Sequence, residues 1–183
     1  MKLINKILAI SAISLSLMPA IASADCGKTR LADFDWNSAN VHTGIVQFIL
    51  EHGYGCEVET TRGSTTPIMA AHYDSQLDVV TELWYDNIVT QYDAVEAEGI
   101  IENIGINTPD SQQAFYVDRN TADKYNIKSV LDMNNPEIAA LFIDPENPGM
   151  GRMVSCIGGW TCYTINHVKQ RVYGLDKLYT NFD

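Results

Sequence analysis

The sequence runs to 183 residues, with 23 acidic against 12 basic side chains and a formal net charge of -11. That balance argues against nucleic acid as a partner, because phosphate binding calls for a basic face and none is visible. There is no internal repeat, low-complexity tract or sustained heptad, which leaves an ordinary globular protein as the class to explain.

Lys2 and Lys6, the apolar stretch Ile7 to Leu17 and the small residues Ala22, Ser23 and Ala24 read together as a secretory signal peptide over residues 1–24. Its apolar core is shorter than the roughly 20 residues a membrane span requires, and no later segment approaches that length. The mature chain is therefore expected to be an exported soluble protein. Cys26 lies close to the cut, but Asp25 stands where a lipoprotein signal needs a small residue, so no lipid anchor is expected. Four cysteines in an exported chain point to disulfides rather than thiol catalysis. Their spacing suggests Cys26 with Cys56, and Cys156 with Cys162. The first bridge closes a loop of about 30 residues, worth roughly 3 to 4 kcal/mol, and the second clamps a turn around Trp160. A four-cysteine zinc site is the competing reading, weakened because only one pair is closely spaced.

Lys28 to Phe34 (KTRLADF) reads as a strand, and Ser38 as the N-cap of a helix that carries Val41, Ile45, Phe48 and Ile49 and ends at Gly53. Cys56 to Thr61 alternates as a second strand. Ser64 opens another helix, with Pro67 in its first turn and Ile68, Met69 and Ala71 facing inward. Leu77 to Leu83 (LDVVTEL) is the third strand. Strand and helix in alternation imply a parallel sheet covered on both faces, an α/β architecture. Ligands of such sheets collect at the carboxyl ends of the strands, and Trp36 and Trp84 each lie just past such an end.

Gly99 to Thr108 continues as an extended run, and Gln112 to Val117 (QQAFYV) reads as a strand leading out of the first unit. A helix near Ala122 and another over Pro136 to Phe142 follow. Residues 144–151 (DPENPGMG) are a loop by composition, and their acidic residues fit no EF-hand spacing, so a solvated turn is expected rather than a calcium site. The segment SCIGGWTC, residues 155–162, then sets Trp160 behind two glycines and between two cysteines, ahead of a helix beginning near Tyr163.

Acid–base and metal chemistry find little support. His42, His52, His72 and His167 are scattered, none spaced for a triad or a metal. His42 shares a helix face with Ile45 and Ile49 and reads as a partly buried structural residue. Asp78 and Glu82 fall on one side of the third strand, yet nothing completes an acid–base pair. Glu82 would instead add negative potential at that end of the strand.

FDWNSA, GYGCEVE, STTPIM, LDVVTELW, FYVDR, KSVLDM, GGWTC and VYGLDKLY follow one another over nearly the whole mature chain. In that order and spacing the chain resembles the glycine betaine, choline and proline betaine binding proteins of bacterial ABC importers, with GW-x-C between paired cysteines, together with ELW, the most specific part. The resemblance implies a periplasmic binding protein-like (type II) α/β fold, two lobes that close on a ligand in a cleft. Residues 25–110 would form a first lobe and 111–183 a partial second one. Members of this group usually run well past this length, returning to complete the first lobe, so the expectation is a fragment with the C-terminal part of the fold missing.

A quaternary ammonium has no N–H to donate, and proteins surround it with aromatic faces instead. The resemblance implies Trp84 and Trp160 as cage walls, Trp36 as the matching aromatic of the choline-binding branch, and Tyr116 as a further candidate. A betaine carboxylate would fall to the N–H groups of Thr161 and Cys162 at a helix N-terminus. The expected function is a non-enzymatic, monomeric receptor that needs no cofactor or metal and delivers a small quaternary ammonium compound to an ABC permease in the inner membrane. The alternatives are an exported α/β hydrolase or transferase, or a solute-sensing module of the same fold.

Overall fold

In the computed structural model residues 26–182 are described; the signal peptide expected over residues 1–24 lies outside them. Strand β1, Lys28–Phe34, has Leu31, Ala32 and Phe34 all buried, as suits a strand covered on both faces. It is the middle of a three-stranded parallel sheet, flanked by β2, Glu57–Gly63, and β3, Val79–Val80. The β1–β2 register runs from Lys28 opposite Glu57 to Phe34 opposite Gly63. The structure joins Cys26 to Cys56, with Cα atoms 5.1 Å apart, immediately ahead of both strands.

Helix α1, Asn37–Ile49, links β1 to β2, and α2, Thr65–Tyr73, carries the chain across to β3 on the far side of β1. The N-cap expected at Ser38 is not observed. Trp36 takes the cap position in extended conformation, and the Ser38 hydroxyl donates to Glu82 at 3.0 Å, a tertiary partner outcompeting the local cap. Nor does Gly53 end the helix. The chain passes through it in one π-helical turn, Leu50–Tyr54, and stops at Gly55, whose φ of +73° is the left-handed conformation that glycine supplies without strain. Val41, Ile45 and Phe48 are 59%, 54% and 62% exposed. The face that meets the sheet is Ala39 and Thr43, whose hydroxyl donates to the Ala32 carbonyl at 3.0 Å.

The third strand is far shorter than the expected Leu77 to Leu83. On one side Asp78 is held by Arg30: its amide donates to the Arg30 carbonyl at 2.8 Å, and its carboxylate accepts from the Arg30 amide and guanidinium. On the other, the chain leaves the ladder after Val80 and buries Glu82. Asp78 and Glu82 therefore serve different partners and form no carboxylate pair. Leu77, Ile68 and Met69 close the core with Phe34 and Ala39, joined by Tyr92 of α3, Val89–Ala97, and by Ile88 and Ile101 on either side of that helix.

The stretches expected to be extended over Gly99 to Thr108 and strand-like over Gln112 to Val117 form no strand; no neighbouring backbone pairs with them, and Ile104 is 91% exposed. Helix α4, Arg119–Tyr125, begins at Asp118, whose carboxylate accepts from the Thr121 amide at 2.9 Å. A 3₁₀ turn, Val130–Asn134, starts in a capping box between Ser129 and Asp132. Next come α5, Pro136–Ala139, and a 3₁₀ turn, Ala140–Phe142, so the helix expected over Pro136 to Phe142 divides in two.

Two unexpected strands, β4, Gly151–Val154, and β5, Tyr179–Phe182, make a second parallel sheet, with α6, Thr161–Val172, as the crossover between them. A Cβ at Gly151 would lie 2.7 Å from the Tyr179 ring and 2.9 Å from the Ala139 carbonyl oxygen, so only glycine permits this approach. Helix α6 begins at Thr161 rather than near Tyr163. Behind the second sheet Ala139, Leu175 and Tyr179 are buried, supported by Val130, Met133, Phe142 and Met153.

Asp144, in the acidic loop, has its carboxylate filled by protein donors: Arg152 at 2.7 Å, Asn147 at 2.8 Å, the Glu146 amide at 3.0 Å and the Thr180 hydroxyl. These bonds hold it well below the ordinary carboxylate range, that of Thr180 first. Among the described residues no helix is long and apolar enough to cross a membrane.

Candidate functional site

The carboxyl ends of β1 and β3 point their following loops toward the turn that precedes α6. Between them lies a cavity of about 330 Å³ bordered by Trp36, Trp84, Tyr116, Trp160, Thr161 and Cys162, the residues singled out in the sequence, together with Ser38, Glu82, Gln112 and Gln113. The volume falls at the small end of ligand sites. Among the described lining residues none is lysine, arginine or histidine, and Glu82 is the charged one.

Trp36 follows β1 and stacks on Phe34, ring centroids 4.5 Å apart and planes 9° off parallel. Trp160 meets it edge to face at 5.5 Å and 74°, an arrangement that aromatic pairs favour. Trp84, 39% exposed, opens the 3₁₀ turn Tyr85–Asn87 beyond β3. Tyr116 stands further out at 78% exposure, its hydroxyl donating to the Gln112 carbonyl at 2.9 Å. Position in the chain does not explain how the indoles are oriented; their N–H groups do. Trp36 Nε1 and Trp84 Nε1 both donate to Glu82 Oε1, at 2.7 and 3.0 Å, and Trp160 Nε1 donates to Asp35 Oδ1 at 2.6 Å.

The turn that carries Trp160 is fixed in three further ways. Cys156 and Cys162 are joined, Cα atoms 5.9 Å apart. Gly159 has φ +96°, a region that side chains avoid. A Cβ there would also stand 2.7 Å from Ser64 Oγ, so the turn sits directly on the start of α2. Trp160 itself is the extended N-cap residue of α6. Thr161 and Cys162 are the first residues of that helix, where backbone N–H groups have no intrahelical carbonyl to meet and the dipole favours negative charge.

Glu82 has a larger part than the sequence reading allowed, and Asp35 escaped it, while His42 is partly buried as expected. Glu82 is 5% exposed. Its Oε2 lies 2.9 Å from His42 Nδ1, on α1, an ion-pair contact without hydrogen-bond geometry. The available signal was an acidic residue within two positions of a tryptophan, in FDW and in ELW. Sequence could not say which indole each acid holds. Asp35 adjoins Trp36 yet binds Trp160, 125 residues away.

The family described as the substrate binding domain of ABC-type glycine betaine transport systems matches residues 27–183. The glycine betaine/proline betaine-binding periplasmic protein of Salmonella typhimurium is 29% identical over 73 residues, 40% of this chain and 22% of that protein. Its namesake in Escherichia coli is 31% identical over 84 residues, 45% of this chain and 24% of that one. The glycine betaine-binding periplasmic protein of Dickeya dadantii is 26% identical over 84 residues, 46% and 25% of the two chains. The aligned stretch thus spans about a quarter of the relatives' length. The family match, by contrast, runs through β1, both sheets and the tryptophan turn, and on that ground the chain belongs to the family of substrate-binding domains of ABC-type glycine betaine transport systems.

Proposed function

We propose that this protein is a periplasmic receptor for a quaternary ammonium compound, of the glycine betaine, choline or proline betaine class, which it hands without chemical change to an ABC permease in the inner membrane. The supporting observation is the convergence of Trp36, Trp84, Trp160 and Tyr116 on one small cavity that no basic side chain lines among the described residues. Each aromatic face contributes about 0.5 to 2 kcal/mol to holding a cation, more when water is excluded. The two parallel sheets would be the two lobes of a type II binding protein, with residues 25–110 and 111–183 on either side of the ligand, and the chain acting as a monomer. A carboxylate on the ligand would meet the first amides of α6, a few ångströms from the Trp160 ring. That pairing of cation cage and anion site suits a betaine, and the cage alone suits choline.

Calorimetric titration with glycine betaine, choline and glycine tests this. The methylated ligands are expected to bind and glycine, which keeps its N–H donors and strong hydration, to bind at least about tenfold more weakly. Equal affinity for betaine and glycine would remove the cage.

A further inference from the structure

Taking the cavity as a cation cage, we infer that Glu82 is its positioning residue: one carboxylate oxygen fixes the indoles of Trp36 and Trp84 together, while the charge behind the rings favours a cation. Oε1 accepts three hydrogen bonds, from Trp36 Nε1 at 2.7 Å, Trp84 Nε1 at 3.0 Å and Ser38 Oγ at 3.0 Å. Trp36 leaves the end of β1 and Trp84 follows β3, so a single atom ties two loops at the carboxyl end of the sheet. Burying a carboxylate is costly, and an apolar side chain would fill the same space more cheaply. A purely structural filler therefore does not explain an acid here. What the acid supplies is an acceptor shared by two indoles and a negative charge on the border of a cavity whose described lining has no basic side chain. The second follows from the first. An indole N–H that donates to a carboxylate is polarised toward a more negative ring, which strengthens its face for a cation. His42 Nδ1 approaches Oε2 from α1 and does not line the cavity, so it braces the carboxylate from behind.

Two substitutions separate the acceptor from the charge. E82Q keeps an oxygen for the indoles and removes the charge; E82A removes both. The probe is tetramethylammonium, which offers a protein nothing but its cation, and the readouts are its affinity and the near-ultraviolet circular dichroism of the tryptophans. E82Q is expected to keep the parent spectrum and lose about tenfold in affinity, the scale of one charge interaction near a protein surface. E82A is expected to lose the tryptophan signal and about a hundredfold in affinity. Spectra that do not distinguish E82Q from E82A overturn the positioning role, and an E82Q that binds tetramethylammonium like the parent overturns the role of the charge. If the parent protein binds neither tetramethylammonium, choline nor betaine, the receptor reading falls by itself. The two spectra then decide for or against Glu82 as the holder of both indoles.

Discussion

The two parallel sheets solve one problem, holding a tryptophan at the end of a strand, with different means. The first sheet has three strands over a continuous core of Phe34, Ala39, Ile68, Met69, Leu77 and Tyr92, and its tryptophans are held by packing and by a buried acceptor. The second has two four-residue strands over Ala139, Leu175 and Tyr179, and there the turn is closed by a disulfide and lies through Gly159 against Ser64. Where apolar burial is ample, hydrogen bonds suffice to orient a ring. Where it is thin, as at Trp160, the chain adds covalent and steric constraint to the hydrogen bond.

Removing each disulfide in turn puts the largest strain on this contrast. Replacing Cys26 and Cys56 by serine opens a span of 30 residues and is expected to lower stability by about 3 to 4 kcal/mol, with ligand affinity unchanged in the folded protein. Opening Cys156–Cys162, a span of 6, is expected to lower stability by only about 2 kcal/mol yet to weaken ligand binding, because it frees the Trp160 turn. Denaturant titration and calorimetry on the two double variants read both quantities. If the larger loss of stability also carried the larger loss of affinity, the division of labour would be wrong.

Trp160→Leu follows in size. Losing the π face is expected to cost about 2 kcal/mol of binding, while Trp160→Phe, which keeps a smaller face, costs less. The thermal midpoints of both should stay near that of the parent, since Trp160 is only partly buried. A Leu variant with parental affinity would end its claim as a cage wall, and losses of affinity that track losses of stability would make it a packing residue.

The smallest effect concerns acid. Asp144 ties Arg152 of β4 to Thr180 of β5, and its carboxyl is depressed by those bonds. A depressed carboxylate stabilises the fold fully above its unfolded value of about 3.9 and ceases to do so as pH falls through the folded value. Asp78 is also lowered, chiefly by its bond to Arg30, but that pair is more than one-third exposed and screened by solvent. Amide exchange of the second sheet should therefore accelerate before that of the first as pH is lowered below about 4. Simultaneous loss would show that the sheets share one cooperative unit.

Much of this was legible in local sequence. KTRLADF reads as a strand and is one, over the expected residues, because a buried central strand is apolar enough to stand out. Trp36, Trp84 and the GGWTC turn could be assigned to the ends of secondary structure, and they border one cavity. GRMV and YTNF escaped because four residues with a single buried position, a glycine in the first, carry no periodicity. QQAFYV misled in the opposite sense: its composition favours a strand, but a strand also needs a neighbour, and none pairs with it. Ser38 read as a cap since a cap is a local event; its partner, Glu82, lies 44 residues further on. The same holds for the indole N–H groups, whose acceptors only the fold could name.

The seat of Gly159 on Ser64 has a mechanical meaning. A Cβ at residue 159 would lie 2.7 Å from Ser64 Oγ and 3.0 Å from Ser64 Cβ, so glycine is what lets the turn come this near the start of α2. A side chain at residue 159 would therefore push the tryptophan turn away from the start of α2 or force Ser64 to move. A larger side chain at residue 159 is expected to widen the 5.5 Å separation between the Trp36 and Trp160 rings.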